Sequence, residues 1–322
     1  FLGDTPFRRD RPPFNGHRHA MTTRSLGPLA GLHWLRRSIH LGRGNPRAVF
    51  GGAALLAGVA LVPSIVQLLL LGAVQPGGEG AMAVAVAATL MSLLLMPPLI
   101  GGYLRVIDAT ERGLPARSTD VFAPFKQGQD AGRLIGLGML ITAIYLLMAW
   151  VVVSIFGDGL LTWYQQMAQL AQTPPVEPAD LPAPPDGFGR VLGLVSLLAL
   201  FLGGVYAIGF GQVALGGRRV GAALGDGIVG TVKNLLPLLL LAIVGMAAML
   251  FVALLLGMVL AVLGVVGGLV HPVLGAALAL PVYLAFLLVL YVVLFGIMYF
   301  LWRDVCGDAP VPPAANPGEV AA

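Results

Sequence analysis

Charge is what this chain lacks most. Of its 322 residues only 11% are Asp, Glu, Lys or Arg, against roughly 25% in a soluble globular protein. From Asn234 to Trp302 there is none of the four in sixty-nine residues. A bilayer core about 30 Å thick takes roughly 20 helical residues at about 1.5 Å each. The run is therefore too long for one span and fits two joined by a tight turn, which Gly264, Gly267, Gly268 and His271-Pro272 are expected to make. Cysteine is nearly absent as well. Cys306 stands alone, which excludes an internal disulfide framework and a cysteine-cluster metal site. No GxxxxGK[ST] phosphate loop occurs. The apolar stretches hold almost no ionisable side chains, which argues against a coupled pump, since intramembrane carboxylates, lysines or histidines mark proton and ion pathways.

What is present is apolar: 57% of the chain is hydrophobic, with a mean hydropathy of +0.88. Six candidate spans can be marked, at about 48–74, 81–104, 134–156, 191–215, 235–263 and 273–302. The sequence thus predicts an all-α polytopic bundle, with a membrane domain over 47–304. A disordered or non-native tail is expected over 1–28, and a disordered cytoplasmic tail over 305–322. The charges sort by loop. Arg24, Arg36, Arg37, Arg43 and Arg47 precede span 1; Arg105, Arg112, Arg117, Lys126 and Arg133 lie between spans 2 and 3; Arg218, Arg219 and Lys233 lie between spans 4 and 5; Arg303 follows span 6. The alternate loops hold Glu79, Asp158, Glu177, Asp180 and Asp186, with Arg190 their one basic residue. Lys and Arg resist translocation, so both termini are expected on the cytoplasmic side. The formal charge of +4 is read as contact with anionic lipid rather than with nucleic acid.

The segments before the odd spans resemble one another. Residues 29–46 have the pattern of a basic amphipathic helix lying in the interface, with Leu32, Leu35 and Ile39 on one face. STDVFAPFKQGQDAGR precedes span 3, and VGAALGDGIVGTVKNLLP precedes span 5. Either the chain repeats a unit of interfacial helix plus hairpin three times, or convergent boundary chemistry makes the hairpins look alike; the sequence weighs the two evenly. Between spans 3 and 4, GLLTWYQQMAQLAQ is expected to be a short helix on the opposite interface. The Pro-rich TPPVEPADLPAPPDG after it is expected to be extended.

Certain residues carry a family resemblance. Trp34, with Asn45-Pro46 eleven residues on, resembles the W-(x)10-N-P motif of a family of uncharacterised proteobacterial six-span inner-membrane proteins, a domain of unknown function related to the YciC-like membrane proteins. GGYLRVIDATERGLPARSTDVFAPFK is similar to that family's cytoplasmic-loop pattern at Gly101, Gly102, Arg112, Gly113, Phe122 and Phe125, and YFLWRDV to its exit from span 6 at Arg303-Asp304. The pre-span-5 TVKNLLP is similar to the YciC-like proteins. The resemblance covers about 29–308. It departs at Ile39, where an aromatic is usual, and in a longer loop between spans 3 and 4. It implies a fold and a location, and brings no catalytic residue.

The residues themselves offer no convergent acid, base, nucleophile or metal set, so no catalytic, cofactor or metal site is expected. His33 and His40 share a helix face but lack further ligands for zinc. Trp34, Arg36, Arg37, Arg43, Arg218, Arg219 and Lys233 are expected at the membrane surface. Gly203, Ala207 and Gly211, spaced by four, are expected to pack helices closely. Gln67, Tyr145, Tyr206 and Gln212 are candidates to line a cavity. The resulting reading is a non-enzymatic structural or accessory protein of membrane or envelope organisation, in contact with anionic lipid and with a second copy or another membrane protein. The alternative is an uncoupled carrier or channel for an apolar or lipid-like solute.

Overall fold

The computed structural model describes residues 23–74, 78–127, 130–170 and 181–307, and every regular element in them is helical. The expectations for residues 1–22, 171–180 and 308–322 lie outside the described residues. Six helices are long and apolar enough to span a bilayer: α2 (Pro46–Leu71), α3 (Glu79–Glu111), α5 (Asp130–Phe156), α7 (Phe188–Ala214), α9 (Leu235–Gly268) and α10 (Pro272–Cys306). Between them lie α1 (Ala30–Ile39), a 3-10 turn over Ser118–Phe122 continuing into α4 (Ala123–Gln127), α6 (Leu160–Leu170) and α8 (Val220–Lys233).

The way the apolar surface is spent identifies the solvent. The most apolar eighteen residues of α9 include no buried residue, and Leu68 and Leu254 are 73% and 74% exposed. Monomeric soluble proteins do not leave contiguous apolar surface on this scale open to water. The chain is a multi-pass helical membrane protein.

The core is gathered at one end. Trp34, Val49, Leu99, Tyr103, Ile107, Val121, Leu134, Phe210, Tyr299 and Trp302 are buried together. All belong to α1, the 3-10 turn, or the halves of the spans next to the basic loops. Beyond that end the hairpins α2–α3, α5–α7 and α9–α10 carry most of the exposed large apolar side chains.

Short helices precede each hairpin, as the repeated plan anticipates, but each packs on the hairpin before it. The 3-10 turn lies on α2 and α3, α8 lies on α7, and α1, the first of the described helices, lies on α10 and α9. The order is therefore cyclic, closing the first element onto the last. One glycine on each even span makes room for the short helix. A Cβ on Gly102 would collide with the Val121 carbonyl, one on Gly204 would stand 2.8 Å from the Thr231 side chain, and one on Gly296 would stand 2.9 Å from that of Ser38. A close approach of this kind thus occurs once on each even span.

Several boundaries differ from expectation. Residues Thr23–Gly27, assigned to the tail, are bound: Arg24 N–H donates to Val305 O (2.9 Å) and Leu26 N–H to Asn234 Oδ1 (2.9 Å). Val305 and Cys306, assigned to the other tail, are buried in the last turn of α10. Gly264, Gly267 and Gly268 do not make the turn; α9 runs through them, and Leu269–His271 turns instead. Their smallness serves packing, since a Cβ on Gly267 would lie 2.5 Å from Gly275 Cα across the hairpin tip. His271 starts α10 as a cap, its Nδ1 accepting from Val273 N–H (3.2 Å). Pro63, Pro97, Pro98 and Pro281 sit inside continuous helices. The helix between spans 3 and 4 forms as α6; its Trp163 donates to Pro182 O (3.0 Å), leaving Tyr164 67% exposed.

Buried in that last turn, Cys306 is 3% exposed. A maleimide is expected to leave it unmodified in the folded, detergent-solubilised protein and to label it fully after unfolding in SDS. Intact mass reads the difference, and rapid labelling of the folded form would show that the turn opens.

Candidate functional site

Side-chain chemistry is concentrated at the charged end, where four elements converge on the last turn of α10. Asp304 accepts from Trp34 Nε1 (3.0 Å) and from Arg37 Nη1 through both carboxylate oxygens (3.1 and 3.0 Å). The Arg37 guanidinium lies 4.0 Å over the Phe300 ring. One turn back, Tyr299 Oη donates to Asp108 Oδ1 (3.0 Å), and Asp108 pairs with Arg112 (2.9 Å). Arg303 reaches Glu111 at 3.8 Å. These bonds tie α1, α3 and α10 into one rim.

A strap completes it. Lys233 Nζ donates to Thr23 O (2.9 Å), Asn234 Nδ2 to Arg24 O (2.8 Å), and Arg24 to Gly307 O. The chain ahead of α1 thereby joins the α8–α9 junction to the end of α10. On the other side, Asp130 bridges Arg105 (2.5 Å) and Arg133. Inside, fully buried Gln212 donates to Asp226 (2.7 Å), which also pairs with Arg218 (3.0 Å).

The motif residues behind the resemblance are largely accounted for by this rim. Asn45 Oδ1 caps α2 at Ala48 N–H (3.1 Å) while its Nδ2 holds Ala116 O (3.1 Å). Pro46 occupies the first turn, where a missing donor costs nothing. Gly113 takes a left-handed φ of 68° just past α3.

Three cavities adjoin α1. The first, about 630 Å³, is lined by Arg24, Leu26, Ala30, His33, Arg37, Arg303 and Asp304. The second, about 510 Å³, is lined by His33, Arg36, Arg37, His40, Arg43, Glu111 and Phe300. The third is a wholly apolar groove of about 570 Å³ between α9 and α10, bounded by Leu35, Leu200, Met246, Met249 and Leu294 among others.

The expected site residues are divided by this geometry. Arg36, Arg43 and Arg219 are exposed, and Arg37, Arg218 and Lys233 are engaged in the bonds above. Trp34 is not at the surface but 0% exposed, packed against α10 with a partly exposed Asp304 as the acceptor for its indole N–H. Ala207 and Gly211 are buried, Gly211 against Trp302, but Gly203 faces outward with nothing within 4 Å of a built Cβ. Its neighbour Gly204 is the packing residue. The four polar candidates for a cavity do not meet. Gln67 lies about 32 Å along α2 from Pro46 at roughly 1.5 Å per residue, whereas Gln212 sits two residues from the opposite-running end of α7. Tyr206 stacks on Phe210 at 4.1 Å between ring centroids. Sequence reasoning placed Asp304 and Asn234 in boundary motifs without a site role and missed Asp226, whose polarity in otherwise apolar surroundings was the available signal. Comparison with protein-family models, curated proteins and solved structures finds no match in any of the three, so the functional reading stands on this geometry.

Proposed function

We propose that the protein is a non-enzymatic component of a bacterial inner membrane, with a structural or accessory role in membrane or envelope organisation. In this reading the charged end rests on the anionic cytoplasmic leaflet, and both termini lie on that side. One observation supports it above the others. The bundle is tied shut where the basic loops gather, and its apolar sides are open to lipid elsewhere. Among the described residues Arg190 alone is basic at the far end, as the resistance of Lys and Arg to translocation requires. Exposed Arg36, Arg43, Arg47 and Arg219 are free to meet anionic headgroups.

Reporter fusions at the two termini, together with native mass spectrometry of the full chain, test the reading. Both reporters are expected to register the cytoplasm. Phosphatidylglycerol is expected to be retained and to raise the melting temperature relative to phosphatidylcholine. A terminus found outside, or a stability indifferent to anionic lipid, would overturn it.

The apolar groove between α9 and α10 favours a second reading, an uncoupled carrier of an apolar or lipid-like solute. Its walls present no ionisable side chain and its rim includes exposed Met246 and Leu294, so an acyl chain can enter sideways from the bilayer. Movement of a fluorescent lipid in proteoliposomes above that in empty vesicles would support the carrier; equal rates would remove it.

A further inference from the structure

We propose that the two basic cavities over α1 are one recognition site for an organic phosphate, a phosphomonoester or phosphodiester group. The proposal deepens the lipid-contact reading and rests on it for one of the two sources the phosphate can have, a lipid headgroup or a soluble compound.

The two cavities are continuous in their walls, because His33 and Arg37 line both. Helical spacing explains the convergence: His33, Arg36, Arg37 and His40 stand three and four residues apart, on one face of α1 and its final turn. Arg24 comes from the strap, Arg43 from the turn into α2 and Arg303 from α10. The site thus draws five arginines from four segments, against the carboxylates of Asp304 and Glu111. A cation is repelled by that balance, and an anion is attracted.

The donors are also underused. Arg36 and Arg43 are exposed and take part in no ion pair among the described residues. Arg37 spends one nitrogen on Asp304, while its Nη2 is buried without an acceptor. Phe300 beneath it fixes the plane of the guanidinium. Arginine rather than lysine is the informative choice here. Its rigid fork places two N–H groups against two oxygens of one phosphate, which a point-charge ammonium does not do. A carboxylate offers two oxygens in one plane, whereas the oxygens of a phosphate group are arranged tetrahedrally and can meet forks arriving from several sides.

The experiment uses the full chain in two arms. In one, the protein in detergent is titrated with glycerol phosphate. In the other it is placed in nanodiscs of phosphatidylglycerol or of phosphatidylcholine, and retained lipid is counted by native mass spectrometry. The site variant is Arg36→Gln/Arg43→Gln, which alters exposed side chains only. The control, Arg117→Gln/Lys126→Gln, removes equal charge from exposed positions outside the cavities. Saturable binding is expected in at least one arm, weakened about tenfold or more in the site variant and about twofold or less in the control. Binding in the first arm alone assigns a soluble phosphate, and in the second alone a lipid headgroup. No saturable binding in either arm, or equal losses in the two variants, overturns the site. Lipid retention that survives in the site variant removes the site and leaves the membrane reading intact. Soluble phosphate binding without any dependence on anionic lipid does the reverse.

Discussion

Gly102→Ala is expected to destabilise the protein by about 3 kcal/mol or more, enough to abolish a monodisperse, detergent-solubilised fold. The added Cβ would enter the space of the Val121 carbonyl oxygen, carbon and Cα, which are backbone and cannot rotate aside. Val121 is itself 0% exposed, held in the 3-10 turn between α2 and α3. Relief would require the whole turn to lift off α3, and with it the Asn45 contact to Ala116 and the capped start of α2. Gly203→Ala is the matched control. It is also a helical glycine of an even span beside a second glycine, but its Cβ would meet nothing within 4 Å. Alanine is favoured over glycine in a helix interior by roughly 0.5–1 kcal/mol, so this variant is expected to melt at the same temperature or slightly higher. Equal melting temperatures for the two variants would show that the 3-10 turn is not pressed on α3 as described.

The contrast between these glycines marks where the sequence could be read and where it could not. The spans were legible because the bilayer imposes a length and a polarity that no other environment demands, and all six appear as helices. Charge sorting was legible for the same reason. Gly264, Gly267 and Gly268 were misread as a turn because in water glycine breaks a helix. In a bundle it instead permits close approach, and the turn fell to residues with no special backbone freedom. Gly203 was chosen over Gly204 because a spacing of four gives a stripe without saying which way it faces. Trp34 was misplaced because its acceptor, Asp304, lies 270 residues away. An interfacial belt is the usual place for a tryptophan at a membrane edge, and only the closing of α1 onto α10 supplies a buried alternative.

The cavity candidates are a different case. Their depths follow from counting residues along their helices, so the separation of Gln67 from Gln212 was available before any tertiary information. The convergence of arginines was not. Arg24, Arg37, Arg43 and Arg303 each read as an ordinary positive-inside residue, and only the cyclic packing of the three units carries them to one rim. That packing also alters the meaning of the charge-free run through α9 and α10. Its apolar length is the support on which α1 and the basic cavities rest, and the groove beside α1 has no ionisable side chain in its walls.

Asp304→Asn is the second substitution with a large expected effect, and its two readouts should move in opposite directions. The carboxylate accepts from Trp34 and twice from Arg37, and it is only partly screened, with 29% of its side chain exposed. An asparagine keeps the shape and one acceptor oxygen but leaves a half-buried guanidinium without its counter-charge. The expected loss is about 2 kcal/mol, below the 3–5 kcal/mol typical of a fully buried broken pair because solvent reaches both partners. Trp34→Phe removes one of the same bonds. In the double variant the two losses are therefore expected to fall short of additivity by about 1 kcal/mol, the sign of a shared contact. Strict additivity would mean that Asp304 does not hold the indole. Asp304 is also one of two carboxylates that the described residues bring to the walls of the basic cavities. Neutralising it removes an anion that competes for Arg37, so a protein that melts earlier is expected to bind phosphate more tightly. A purely structural Asp304 would lower stability and binding together. Opposed changes would show that the carboxylate locking α1 to α10 also limits how strongly the site attracts its ligand.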